Sequence, residues 1–224
     1  MQFKTLAWCE FLVDDTTAEA FATYMKKFSD LYRYLAQIVA THTSSSQPII
    51  VDLGAGPGLL SVEIHQKIPN AVVVGIDPLM KMLQLAKENT KEKDFSAFES
   101  VLGVSECLPL KNNTVDVIVS RFSLPYWKSP EQSFQEMKRI LKPGGKVVLE
   151  ALNRDFPKWK LAMIKIHMLF NRAGGDVTKY HVDAYKDAHT MEQVEHFFTT
   201  AGFTILEKEG KKGEWRFIVV AEKK

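Results

Sequence analysis

The chain has 224 residues, 46% of them hydrophobic and 25% charged, with a formal net charge of +2. That much apolar material excludes an intrinsically disordered chain and suits one large domain, while the near-balanced charge excludes the global basic field of a nucleic-acid binder. Its two cysteines, Cys9 and Cys107, have no metal or disulfide spacing, and no apolar run reaches the ~18 residues of a membrane span, so the expectation is a cytoplasmic protein with free thiols.

Residues 16–43 read as a helix: Thr16 and Glu19 have capping-box spacing, and Leu31, Leu35, Ile38 and Val39 mark an apolar face. The polar stretch 41–48 is a linker. "IIVDLG" then opens a series of short, continuously apolar runs, at 49–54, 72–76, 97–102, 115–119 and 146–149. Such runs suit strands covered on both faces. Helical segments at about 59–67, 79–91 and 130–141 separate them. Strand alternating with helix implies right-handed crossovers and a mostly parallel sheet with helices on both sides. The end of the chain differs. Residues 203–208 and 214–220 are strand-like and joined by "EGKKG", which reads as a hairpin.

The loop "VDLGAGPG", residues 51–58, sits at the carboxyl end of the first run, where open parallel sheets bind ligands. Glycine permits positive φ and close approach of a ligand, and the next helix offers free N–H groups to an anion. A side chain at Gly54 is therefore expected to project at the ligand. The purely structural alternative is a tight turn. A P-loop is excluded because Leu59-Leu60 stands where Lys-Ser/Thr is needed, and the spacing is G-x-G-x-G rather than the dinucleotide G-x-G-x-x-G. Asp77 ends the next run, where a carboxylate accepts both hydroxyls of a ribose; its alternative is the N-cap of the helix begun by "DPLMKML".

"VDLGAGPG", "GIDPLMKML", "GVSECLPL", "VDVIVSRFSL" and "EMKRILKPGGKVVL" follow the order and spacing of class I S-adenosylmethionine-dependent methyltransferases, and the chain resembles the small-molecule branch that includes quinone-biosynthesis enzymes. The resemblance covers about residues 49–150. It implies an α/β, Rossmann-like, seven-stranded, mostly parallel sheet with an antiparallel last strand inserted in it. The helical cap would come from the N-terminus and from an insertion after strand five. One domain would then comprise a cap (1–47), a cofactor-binding core (48–150), an insertion (151–189) and a closing helix and hairpin (190–224). The resemblance also implies roles. Gly54, Ala55, Gly56 and Gly58 would lie against the methionine part of S-adenosylmethionine, and Asp52 would orient the loop and contact the ammonium. Asp77 would hold the ribose, and Pro78 and Leu79 would pack on the adenine. Ser105 and Glu106 would flank the adenine edge, with the Glu106 side chain or backbone N–H groups making hydrogen bonds. Ser120 and Arg121 would line the methionine side through their backbone. Many relatives carry Asp where this chain has Val104, so adenine recognition would rest more on Glu106.

Methyl transfer to a neutral leaving group needs positioning above all, and a base only where the acceptor must lose a proton early. Tyr126 and Trp127 could wall an apolar acceptor or simply pack a loop. His181, Tyr185 and His189 are candidate bases, with solvated or structural roles as the alternative. A metal site from His181, Asp183 and His189 is not expected. The segment 157–172 reads as a helix with two apolar stripes, one containing Trp159, Ala162, Met163 and Ile166, the other Leu161, Ile164 and Met168. One stripe can pack on the domain; the other would close as a lid, meet a second subunit or touch a membrane surface, unless it is a solvated face. The partner expected is a small apolar or amphipathic acceptor, with no nucleic acid, in a monomer or homodimer. An NAD-dependent oxidoreductase, a nucleic-acid methyltransferase and a non-catalytic S-adenosylmethionine-binding protein are the competing readings.

Overall fold

The structure is a computed structural model that describes residues 15–170 and 184–224. Two helices come first, Asp15–Met25 (α1) and Ser29–Thr41 (α2). They replace the single helix expected over 16–43. Lys26–Phe28 tighten into a 3-10 turn between them, with the Tyr24 and Phe28 rings packed edge to face at 5.2 Å. The break lets the two halves take different partners: α1 reaches Lys81 through Glu19 at 2.7 Å, while α2 lays Tyr32, Leu35, Ala36 and Val39 on the sheet.

The apolar runs become parallel strands: Ile49–Leu53 (β1), Val72–Asp77 (β2), Phe98–Leu102 (β3), Val115–Arg121 (β4) and Leu141–Leu152 (β5). Leu59–Lys67 (α3), Met80–Lys91 (α4) and Pro130–Ile140 (α5) connect them. Lys158–Phe170 (α6) and Met191–Ala201 (α7) follow, then Phe203–Glu209 (β6) and Arg216–Lys223 (β7). The sheet order is β3-β2-β1-β4-β5-β7-β6, and β7 runs antiparallel to both β5 and β6. Strand β5 begins earlier than the apolar run, because "LKPGG" joins the ladder through the pairing of Leu141 with Val115 across a register shift. Gly145 is needed there: a Cβ would lie 2.8 Å from the Lys142 carbonyl oxygen.

Strand alternation sorts the core into two layers. Val51, Val74, Ile118, Leu149 and Val219 face α5 and α7, around Phe134 and Phe198. Ile50, Val73, Val117, Val119, Val148 and Ile218 face α2 and α3. Continued along the same face, by two residues from Ile50, Val119 and Val148 and by four from Val73, the second series arrives at Asp52, Arg121, Glu150 and Asp77. The α2 side of the sheet thus ends in a row of polar groups. Beside it the chain reverses its direction of sheet building, from β1 next to β2 to β1 next to β4, and such a switch point opens a crevice.

In α6, Trp159 is 63% exposed and Met163, Ile164 and Ile166 are also exposed, so the described part of neither stripe is buried against the domain. Among the described residues no helix is long and apolar enough to cross a membrane.

Candidate functional site

A cavity of about 500 Å3 opens at the switch point. One wall is the loop after β1. Gly54 and Ala55 donate their N–H groups to the Ile76 carbonyl, at 2.8 and 3.1 Å, which ties the loop to β2. The Asp77 carboxylate accepts from Gly56 N at 2.9 Å and from Leu79 N at 2.9 Å, and so braces both the loop and the start of α4. Asp52 is almost fully buried and accepts from the Ser61 hydroxyl at 2.6 Å. Burial pushes the Asp52 carboxyl up to about 7 and the Asp77 carboxyl up to about 6.

Asp52, Gly54, Ala55, Gly56, Asp77, Pro78, Leu79, Ser105, Glu106, Arg121 and Tyr126 all line this cavity. Gly58 and Ser120 are not among its lining residues. Gly58 packs against Ala86 of α4, and the buried Ser120 hydroxyl donates to the Leu53 carbonyl at 2.8 Å and meets Ser123 Oγ at 2.5 Å. Gly54 corrects the expectation for its own side chain. With φ +76°, a Cβ built there would meet Ser123 Cβ at 2.5 Å, so the glycine is required by the segment after β4 rather than by ligand space. Glu106 is also differently employed. Its Oε1 accepts from the N–H groups of Lys128 at 2.6 Å and Ser129 at 3.2 Å, and Gln132 Nε2 donates to its carbonyl oxygen at 2.9 Å. The carboxylate clasps the wall beyond β3 to the segment beyond β4.

Arg121 enters with its side chain as well as its backbone, and here residues enter that sequence reasoning missed. Its guanidinium carbon stands 4.3 Å from the Tyr32 ring and 4.3 Å from the Phe122 ring, and Nε is 2.7 Å from Glu150 Oε2. Glu150 also meets Arg216 Nη1 at 3.1 Å. Burial pushes the Glu150 carboxyl up and the Tyr32 hydroxyl up to about 12. Tyr32 and Phe122 line the cavity beside Arg121, and Phe21, Met25, Leu152 and Ala184 add further apolar surface to its lining. An acid inside the apolar run "VVLEAL" was the available signal for Glu150, because a buried carboxylate requires partners. Tyr32 carried no such signal beyond its place four residues before Ala36.

Tyr185 and His189 lie outside the residues that line the cavity. Tyr185 donates its hydroxyl to the Trp215 carbonyl at 3.0 Å, and burial pushes its pKa up. His189 sits edge-on to Phe197 with Nδ1 buried and unpartnered, and burial lowers its pKa. His181 and Asp183 lie outside the described residues, as do Gly174 and Gly175. No described residue of α6 lines the cavity either, although Leu152 and Ala184, from the two ends of the insertion, do.

Residues 51–149 match the family model described as methyltransferase domain. A protein of Anoxybacillus flavithermus described as an uncharacterized methyltransferase is 26% identical over 190 residues, covering 80% of this chain and 81% of that one. The demethylmenaquinone methyltransferase of Lactococcus lactis is 28% identical over 170 residues, covering 70% and 66%. Among other curated relatives the chain spans much less of the partner's length: 37%, 42% and 28% in three of them. A solved structure described as a SAM-dependent methyltransferase from Aquifex aeolicus superposes with a TM-score of 0.69 at 17% identity, covering 95% of this chain and all of that one, which establishes the shared fold.

Proposed function

We propose that the protein, whose residues 51–149 match the methyltransferase-domain model, transfers a methyl group from S-adenosylmethionine to a small, apolar or amphipathic acceptor. One observation carries the reading. A single cavity joins the wall formed by Asp52, Gly56, Asp77 and Glu106 to an apolar chamber formed by Phe21, Tyr32, Phe122 and Leu152. Donor and acceptor would then have adjoining places in one cavity.

The residues present suit the donor. A Cβ at Gly56 would meet no atom within 4 Å, so the loop there faces open space that a ligand backbone can approach. Asp52, ionised, would hold an ammonium, and Asp77 would accept from ribose hydroxyls while keeping its two N–H partners. Pro78 and Leu79 would pack on a flat base, and the backbone N–H groups near Ser105 and Glu106 would meet its edge. S-adenosylmethionine supplies a methyl group on a cationic sulfur, which leaves neutral, so the protein has no developing anion to stabilise at the leaving atom.

The chain's contribution is then positioning and exclusion of water. Holding acceptor and methyl carbon in line can account for about 7–11 kcal/mol of the barrier. Tyr32, Phe122, Trp127 and Leu152 would exclude water from that contact. With its hydroxyl pushed up to about 12, Tyr32 is a poor base at neutral pH. Among the described residues Tyr126, about half exposed on the cavity wall, is the remaining candidate for contact with an acceptor proton.

Calorimetry tests the reading. Wild type should bind S-adenosylhomocysteine and not NADH, and Asp77→Ala should weaken that binding by about 1–3 kcal/mol, the cost of losing charge-assisted hydrogen bonds. Folded protein that binds neither S-adenosylmethionine nor its product, or that prefers NADH, refutes it.

A further inference from the structure

We propose that the Arg121 guanidinium is the receptor for an acidic oxygen of the methyl acceptor, so that the acceptor is a small apolar or aromatic molecule bearing a carboxylate or an acidic hydroxyl. The proposal rests on the methyltransferase reading and narrows it to a class of substrate.

Arg121 is 9% exposed and lines the cavity. Its Nε approaches Glu150 Oε2 to 2.7 Å but off the hydrogen-bond direction, so both atoms are buried without an aligned partner. The one carboxylate within ion-pair distance of Arg121 among the described residues is this one, and it is shared with Arg216. Two guanidinium groups therefore converge on one buried carboxylate, and Arg216 has Glu209 at 3.6 Å as a second partner. Leaving buried donors open is costly, more so on a charged group. The Tyr32 and Phe122 rings, each 4.3 Å from the guanidinium carbon, hold the group from two sides. A guanidinium held in place beside a cavity is the group that takes a carboxylate or phenolate in a bidentate fork.

Position within the sheet favours the acceptor over the donor as the source of that oxygen. Asp77 ends β2, Asp52 is one residue short of the end of β1 and Arg121 ends β4, so at ~4.8 Å per strand Arg121 stands about 10 Å from Asp77 on the side away from the nucleoside wall. Its neighbours there, Phe122, Leu152 and Ala184, are apolar. A donor carboxylate has another place to go, the first-turn N–H groups of α3, which have no partner within the helix.

The test uses protein loaded with S-adenosylhomocysteine and two isosteric probes, 2-naphthoate and 2-naphthamide, titrated by calorimetry. Wild type is expected to bind the acid at least about tenfold tighter than the amide, and Arg121→Gln to bind the two within about twofold. Because Arg121→Gln strands the buried Glu150, the double variant Arg121→Gln/Glu150→Gln is run beside it, with circular dichroism to establish folding. It is expected to lose the acid preference in the same way. Equal affinity of wild type for acid and amide overturns the proposal, as does failure of the acid to bind at millimolar concentration. So does an acid preference that survives Arg121→Gln. If Arg121→Gln weakens S-adenosylhomocysteine but not 5′-methylthioadenosine, which lacks the amino-acid end, the guanidinium serves the donor carboxylate and the proposal fails. Absence of S-adenosylhomocysteine binding to wild type is a separate result, which removes the methyltransferase reading itself.

Discussion

Replacing Gly54 by alanine tests how the binding loop is held. The added Cβ would lie 2.5 Å from Ser123 Cβ and 3.1 Å from Ser123 Oγ, at φ +76°. Carbon atoms in contact prefer about 3.5–4.0 Å, so the overlap exceeds an ångström. Ser123 has little room to yield, because its hydroxyl is bonded to Ser120 Oγ at 2.5 Å and accepts from Trp127 Nε1 at 3.1 Å. The left-handed backbone costs a non-glycine residue about 1–2 kcal/mol and overpacking about 1–3 kcal/mol, so Gly54→Ala should destabilise the protein by about 2–5 kcal/mol. Urea denaturation of Gly54→Ala, Ser123→Gly and the double variant separates the two parts. Removing the Ser123 side chain should recover the steric share and leave about 1–2 kcal/mol of backbone strain. If the two single costs simply add, to within about 0.5 kcal/mol, Ser123 does not constrain Gly54 and the argument is wrong.

Burial raises the Asp52 carboxyl from 3.8 to about 7 and the Asp77 carboxyl from 3.8 to about 6, so the native protein binds more protons than the unfolded chain between those limits. The stability they contribute is complete below the unfolded pKa and is lost as pH rises through about 6 to 7. Melting temperatures of ligand-free protein from pH 5 to 8 should carry this fall, and Asp52→Asn should flatten it; an identical slope in the variant contradicts the assignment. The ammonium of S-adenosylhomocysteine requires ionised Asp52, so its affinity should rise with pH through about 7 in wild type and much less in Asp52→Asn. Glu106→Ala should speed amide exchange at Lys128 and Ser129, whose N–H groups it accepts, and cost about 1 kcal/mol of stability. Glu106→Gln, which keeps an acceptor oxygen, should restore most of the protection, and unchanged exchange in the alanine variant rules out the clasp.

The strands were legible because burial on both faces writes itself as short β-branched runs, and the crossovers because chirality leaves one hand for a strand–helix–strand unit. Asp52, the glycine loop and Asp77 were legible for a related reason: they stand at the carboxyl ends of adjacent strands, where local turn chemistry marks them. Periodicity did not carry the break at Lys26–Phe28, since α1 and α2 diverge only to meet α4 and the sheet. Nor did it carry the pairing of Glu106 with residues 22 and 23 positions away, or the exclusion of a Cβ at Gly54 by Ser123. The row of Asp52, Asp77, Arg121 and Glu150 on one face depends on strand order and register. A one-residue slip would turn each of those side chains to the other layer. Local sequence decided which segments became strands and which loop could meet a ligand. Only the assembled sheet brought Tyr32, Arg121, Glu150 and Arg216 together, because charge and shape complementarity across distant segments exist only after the register is set.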